Sequence, residues 1–139
     1  MFQRMKMHHV GIIVPTEEKA YAFMAQYGLE AASIGETPYQ AKAIFTKANG
    51  QESPIEFLIP SGGVLKEFNN GKGGIHHVCY EVEDIETACH ELISQGCEML
   101  EKAPVRAGNP GSAFENTWIN FVRPKFSSGI LVELWENRK

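Results

Sequence analysis

The sequence predicts an α+β fold built from two βαβββ units in tandem, and three observations carry that expectation. A shift of 68 residues lays His8, His9 and Val10 on His76, His77 and Val78. The same shift lays Val14, Ala20, Met24 and Gly28 on Val82, Ala88, Leu92 and Gly96, so the repeat covers a strand, a helix and the glycine that closes the helix. Each helical stretch is then followed by three further strand-like runs.

The elements are expected in this order. Residues 7–14 alternate and are rich in β-branched side chains, as a strand requires. Residues 16–27 (TEEKAYAFMAQY) open with Thr16 as an N-cap and place Glu17 and Glu18 in the first turn. Ala20, Phe23, Met24 and Tyr27 fall at helical spacing, and Gly28 sits where a C-terminal capping glycine belongs. Strands follow near 30–36, 40–47 and 54–59. Residues 60–74 link the halves, with one short helix around Val64–Phe68. In the second half a strand over 75–82 leads to a helix capped by Asp84. Ile85, Ala88, Leu92 and Ile93 form its apolar face and Gly96 ends it. Strands are expected near 97–102, 117–122 and 129–135, with 104–116 (PVRAGNPGSAFEN) as a Gly- and Pro-rich surface loop. These bounds give a single domain over 1–139, with module one at about 6–60, module two at about 75–136 and a linker at 61–74.

Composition narrows the function classes. The 139 residues, 43% hydrophobic and 22% charged, suit one ordinary globular core. A net charge of −4 supplies no basic footprint, which argues against nucleic acid and anionic membrane as partners. The N-terminal stretch MFQRMKMHHV lacks the apolar core of a signal peptide, and no apolar run reaches membrane-spanning length. Cys79, Cys89 and Cys97 are odd in number and lack CxxC spacing, so they read as reduced packing cysteines of a cytoplasmic protein.

The candidate site comes from strand alternation. Four of the five histidines sit in the two HHV pairs. In each first strand the more uniformly apolar face should pack on the helix, leaving His9 and His77 on the other face, each with a small residue (Gly11, Cys79) two positions on. In the last strand of each half, Ile55, Phe57 and Ile59, and likewise Ile130, Val132 and Leu134, form the apolar face, so Glu56 and Glu133 point the other way. One histidine or one glutamate on a strand is ordinarily structural or solvated. Two of each at matched positions of a repeat favour a metal set, because a carboxylate on an inner face is costly unless paired or ligated. Imidazole with carboxylate suits Zn, Co, Ni, Mn or Fe better than Ca. His8 and His76 lie on the core-like face and are expected to bond to backbone. His90, on the second helix, reads as a surface residue.

These residues resemble the vicinal oxygen chelate superfamily, which includes glyoxalases, extradiol dioxygenases, fosfomycin-resistance proteins and methylmalonyl-CoA epimerase. The likeness spans about residues 6–136, and HHVGIIVP, IEFLIP, GGIHHVCYEVEDI, INFVRPK and GILVELWE are most similar to the epimerase branch. The resemblance implies a cupped mixed sheet around one divalent metal ion (Zn, Co, Ni or Mn), with His9, Glu56, His77 and Glu133 as ligands. It implies a proton abstraction α to a carbonyl, with Glu133 as the base and Glu56 as the alternative. It further implies a small-molecule substrate such as an acyl-CoA or other thioester, and a homodimer. Trp118, Asn120 and Trp135 are expected to line the cup, because Trp118 and Asn120 oppose the core-like Thr117, Ile119 and Phe121 along their strand. Arg106 and Arg123 are candidates to meet an anionic group, set against the more ordinary role of solvated arginines. Where the resemblance implies a second carboxylate in some epimerases, the strand at 40–45 has Ala43, with Gln40 and Lys42 its only polar residues. Two other readings stand beside epimerisation: a glyoxalase I-type lactoylglutathione lyase, and a non-catalytic small-molecule or antibiotic-binding resistance protein. Fosfomycin-type transfer to an antibiotic is a further metal-dependent variant.

Overall fold

Both long helices start and stop as their sequences direct. In this computed structural model, which describes residues 4–138, Thr16 accepts a hydrogen bond from the Lys19 N–H at the start of helix α1 (Glu17–Gln26). Asp84 accepts one from the Thr87 N–H at the start of a second helix, Ile85–Ser94. Gly28 and Gly96 both take positive φ, 68° and 97°. The chain then turns back so that the Leu29 N–H reaches the Met24 carbonyl and the Cys97 N–H the Leu92 carbonyl. This is the left-handed helix ending that glycine permits.

The chain divides into two compact units, one spanning His9–His76 and the other comprising His77 onward together with the segment that ends at His8. In the first module, β1 (Lys6–Ile13) pairs in parallel with β4 (Ile55–Pro60), which pairs antiparallel with β3 (Ala41–Thr46), which pairs antiparallel with β2 (Ala31–Glu36). Helix α1 covers one face: Ala20 and Met24 pack with Ile44 and Phe57, flanked by Ile12, Val14, Ile55 and Ile59. The linker carries helix α2 (Gly63–Lys66) and a 3-10 turn at Phe68–Gly71.

The second module repeats the plan. Strand β5 (Gly74–Glu81) pairs in parallel with β8 (Val132–Asn137), which pairs antiparallel with β7 (Thr117–Val122), which pairs antiparallel with β6 (Val105–Arg106). Its helix, α3 (Ile85–Ser94), buries Ile85, Ala88 and Cys89 against Val82 and Leu134. The expected fold class, α+β with two βαβββ modules, is the one observed.

One element differs. The strand expected at 97–102 is absent as a ladder, and β6 instead falls inside the stretch expected to be loop. Residues 98–101 run beside β7 through a single bridge, Met99 to Val122, and isolated backbone bonds. The reason is Asn120. Its carboxamide accepts from the Glu101 N–H at 3.0 Å and donates to the Glu101 carbonyl at 3.1 Å, taking both groups a ladder would have used.

Candidate metal centre

In module one, Gly11 stands opposite Glu56 across β1 and β4, and Phe45 stands opposite Glu56 across β4 and β3. Opposed residues share a face and residues two apart along a strand do too, so His9, Glu56 and Phe45 face one way, away from α1. His9 Nε2 lies 3.4 Å from Glu56 Oε1, and the Phe45 ring meets the His9 ring edge-on at 5.0 Å. His9 is fully buried and Glu56 nearly so.

Module two reproduces this arrangement. Cys79 stands opposite Glu133 across β5 and β8, and Phe121 opposite Glu133 across β8 and β7. His77 Nε2 lies 3.0 Å from Glu133 Oε1, with Phe121 edge-on to the His77 ring at 5.8 Å. Both polar side chains are buried. Each half therefore holds one imidazole and one carboxylate in contact beneath an aromatic edge. Two donors each about 2.1 Å from one ion stand about 3.0–3.4 Å apart, so both separations suit shared ligation as well as a hydrogen bond. A buried carboxylate needs such a partner, since desolvation otherwise penalises its charge.

Several expected site residues take other places. Trp118 and Asn120 do not line the open face. The register puts Ile119 and Phe121 opposite Trp135 and Glu133, so the even-numbered residues of β7 point to the helix side. Trp118 packs on the α3 cluster, and Asn120 donates to Cys89 of α3 as well as gripping Glu101. Ile119 and Phe121 looked like core in the sequence because the inner face of this module is itself apolar around its polar pair. Burial pushes the Cys89 thiol upward, opposed in part by the Asn120 hydrogen bond. Trp135, two residues beyond Glu133, does share its face and is buried.

Arg106 lies over the Trp118 ring at 5.3 Å, on the helix side, and Arg123 is exposed on the turn after β7. Lys42 pairs with Glu17 of α1 at 3.0 Å, which commits it to the helix side as well. Beside Glu56 the inner face of module one carries Ala41, Ala43 and Leu58. His8 and His76 are half-buried among rings: His8 stacks on Trp135 at 4.4 Å, and His76 meets Phe68 edge-on at 5.2 Å. The two aromatic edges, Phe45 and Phe121, were not singled out in the sequence. Their signal is the equivalent place each holds opposite the glutamate of its own module.

Comparison with known proteins agrees with this reading of the fold. The profile described as the Glyoxalase/Bleomycin resistance protein/Dioxygenase superfamily matches residues 8–114. The chain is 34% identical over 137 residues to an ethylmalonyl-CoA/methylmalonyl-CoA epimerase of Cereibacter sphaeroides, covering 93% of this chain and 96% of that one. It is 31% identical over 136 residues to the mitochondrial methylmalonyl-CoA epimerase of Homo sapiens, covering 93% and 72%. The crystal structure of methylmalonyl-CoA epimerase from Mycobacterium tuberculosis superposes with a TM-score of 0.82 at 25% identity, over 96% of this chain and 88% of that one. A Streptomyces coelicolor methylmalonyl-CoA epimerase in complex with 2-nitronate-propionyl-CoA shares the fold, with a TM-score of 0.83 at 22% identity, over 99% and 100%. With its two modules, its matched His and Glu pairs and these relatives, the chain belongs to the glyoxalase/bleomycin resistance protein/dioxygenase superfamily, also called the vicinal oxygen chelate superfamily.

Proposed function

We propose that this protein is a divalent-metal-dependent epimerase that removes and returns the proton α to the carbonyl of a short malonyl-type thioester. The observation that carries the reading is the repeated buried pair, His9 with Glu56 and His77 with Glu133. The four are metal-competent donors of compatible chemistry, two imidazoles and two carboxylates, and we assign them to one ion. Zn, Co, Ni and Mn all accept this set. When bound, such an ion supplies a Lewis acid that stabilises negative charge on the thioester oxygen.

The chain's own residues do the rest. Glu133 takes the α-proton: a carboxylate oxygen forms an O–H bond as the C–H bond breaks, and the electron pair moves into the carbonyl system. Epimerisation requires a proton to return on the opposite face. Glu56 is the group assigned to deliver it, because Ala41, Ala43 and Leu58 around it are apolar and Lys42 is engaged by Glu17. The apolar surroundings limit the water that reaches the reacting carbon.

A thioester substrate is supported by the relatives, which are named for methylmalonyl-CoA and ethylmalonyl-CoA. The lactoylglutathione-lyase reaction is the second reading. Returning the proton to the neighbouring carbon needs no acid on the far face, and the apolar Ala41, Ala43 and Leu58 beside Glu56 favour it. A homodimer in the cytoplasm completes the proposal. Cys79, Cys89 and Cys97 form no disulfide among the described residues, which fits a reducing compartment, and among the described residues no helix is long and apolar enough to cross a membrane.

The test is solvent-deuterium exchange by metal-reconstituted protein, followed by NMR. The epimerase reading expects deuterium at the α-carbon of methylmalonyl-CoA, abolished in Glu133→Gln. No exchange into the thioester, with conversion of a glutathione hemithioacetal to lactoylglutathione, would replace it with the lyase.

A further inference from the structure

The loop between β6 and β7 is compact. The Gly111 N–H donates to the Glu115 carboxylate at 2.6 Å, and the Ser112 N–H and hydroxyl both reach the Asn109 carbonyl. At Gly108 an added Cβ would lie 3.0 Å from the Phe114 carbonyl carbon and 3.1 Å from its Cβ, and would strike the Ser112 hydroxyl. Only glycine lets the loop close this tightly under Phe114. The loop thereby delivers Phe114 edge-on to the Trp135 indole at 5.3 Å, while His8 stacks on the same indole at 4.4 Å. Trp135 is two residues beyond Glu133 on the same face of β8, and Ile119 stands opposite it.

Phe114 is half-buried although it sits on a loop, and it extends the apolar surface that begins at Trp135. Polar loop residues would have sufficed to connect β6 and β7. A loop glycine kept for close packing and an aromatic side chain seated on a buried tryptophan point to a wall rather than to a connection.

We infer that Phe114, set on Trp135 by the 107–116 loop, is a specificity-determining residue that limits the length of the alkyl group on the carbon whose proton Glu133 removes. The inference rests on the epimerase reading above and adds to it the substrate's side chain. A short alkyl substituent, methyl or ethyl, fits against Trp135 and Ile119, and a longer chain meets the Phe114 ring. An apolar wall of this kind discriminates by about 10-fold or more per methylene.

The experiment compares wild type with Phe114→Ala, Phe114→Leu and Gly108→Ala in the full-length, metal-loaded protein. Each is given methyl-, ethyl- and butylmalonyl thioesters, and α-deuterium exchange is measured for each. We expect the butyl-to-methyl ratio of kcat/KM to rise at least 10-fold in Phe114→Ala, to rise less in Phe114→Leu, and to rise in Gly108→Ala as the loop is pushed off Trp135. Exchange by wild type with a ratio unchanged within 2-fold in all three variants overturns the wall alone. Absence of exchange by wild type with any of the thioesters overturns the wall together with the epimerase reading.

Discussion

The His77 imidazole touches the Glu133 carboxylate at 3.0 Å, and the pair lies beneath the edge of Phe121. His9 and Glu56 beneath Phe45 repeat this in the other module. The duplication has therefore preserved a polar pair together with the aromatic ring that shields it. Each half contributes equivalent groups, and chemistry can distinguish them only through what surrounds each carboxylate.

That difference predicts unequal effects of the two glutamates. Glu133→Gln should lower α-proton exchange by about 10²–10⁴-fold, the usual range for a positioned acid or base. Glu56→Gln should retain single-face exchange into one enantiomer of substrate while losing racemisation. Chiral analysis of the thioester alongside deuterium incorporation separates the two outcomes, and equal loss of both in Glu56→Gln would contradict the assignment.

Phe121 should matter to stability as well as to His77. It is buried, and Phe121→Ala should cost about 3–5 kcal/mol in urea unfolding. Phe121→Leu should cost far less, and a deficit in metal affinity that persists in Phe121→Leu would mark the contribution of the ring edge.

Asn120 is predicted to be structural. Asn120→Ala leaves the Glu101 N–H and carbonyl without their side-chain partner and removes the hydrogen bond to Cys89. A loss of about 1–3 kcal/mol is expected, with the KM for thioester unchanged. A large KM effect with unchanged stability would return Asn120 to the substrate face.

Asp84 gives a pH signature. The Thr87 N–H hydrogen bond at the start of α3 holds its carboxyl below the ordinary aspartate value of 3.8. A lowered folded-state pKa means that the ionised cap contributes stability above the ordinary value and loses it as pH falls through the lowered one. The melting-temperature advantage of wild type over Asp84→Ala should therefore be full at pH 7 and shrink in strong acid. An advantage that grows on acidification would contradict the cap.

Much of this was readable in the sequence, for identifiable reasons. The helix caps are local, so Thr16, Asp84, Gly28 and Gly96 could be read directly. The His and Glu positions followed from alternation within single strands. Two things depended on pairing between strands. The face of β7 was inverted because Ile119 and Phe121 look like core, and only their register against Trp135 and Glu133 puts them on the inner side. The strand expected at 97–102 was lost because a side chain 19 positions away, Asn120, takes the backbone groups of Glu101. Neither fact is visible in a single element.

The most direct test of the central claim is metal stoichiometry. Purified full-length protein, stripped and reconstituted with Zn, Co, Ni or Mn, should bind one ion per chain by elemental analysis and titration calorimetry. His9→Ala and His77→Ala should each weaken that one site by more than the roughly 10–100-fold lost when a residue that only orients a ligand is changed. Two ions per chain, no tightly held ion, or a His77→Ala variant that binds as wild type does would contradict a single centre shared by the two His and Glu pairs.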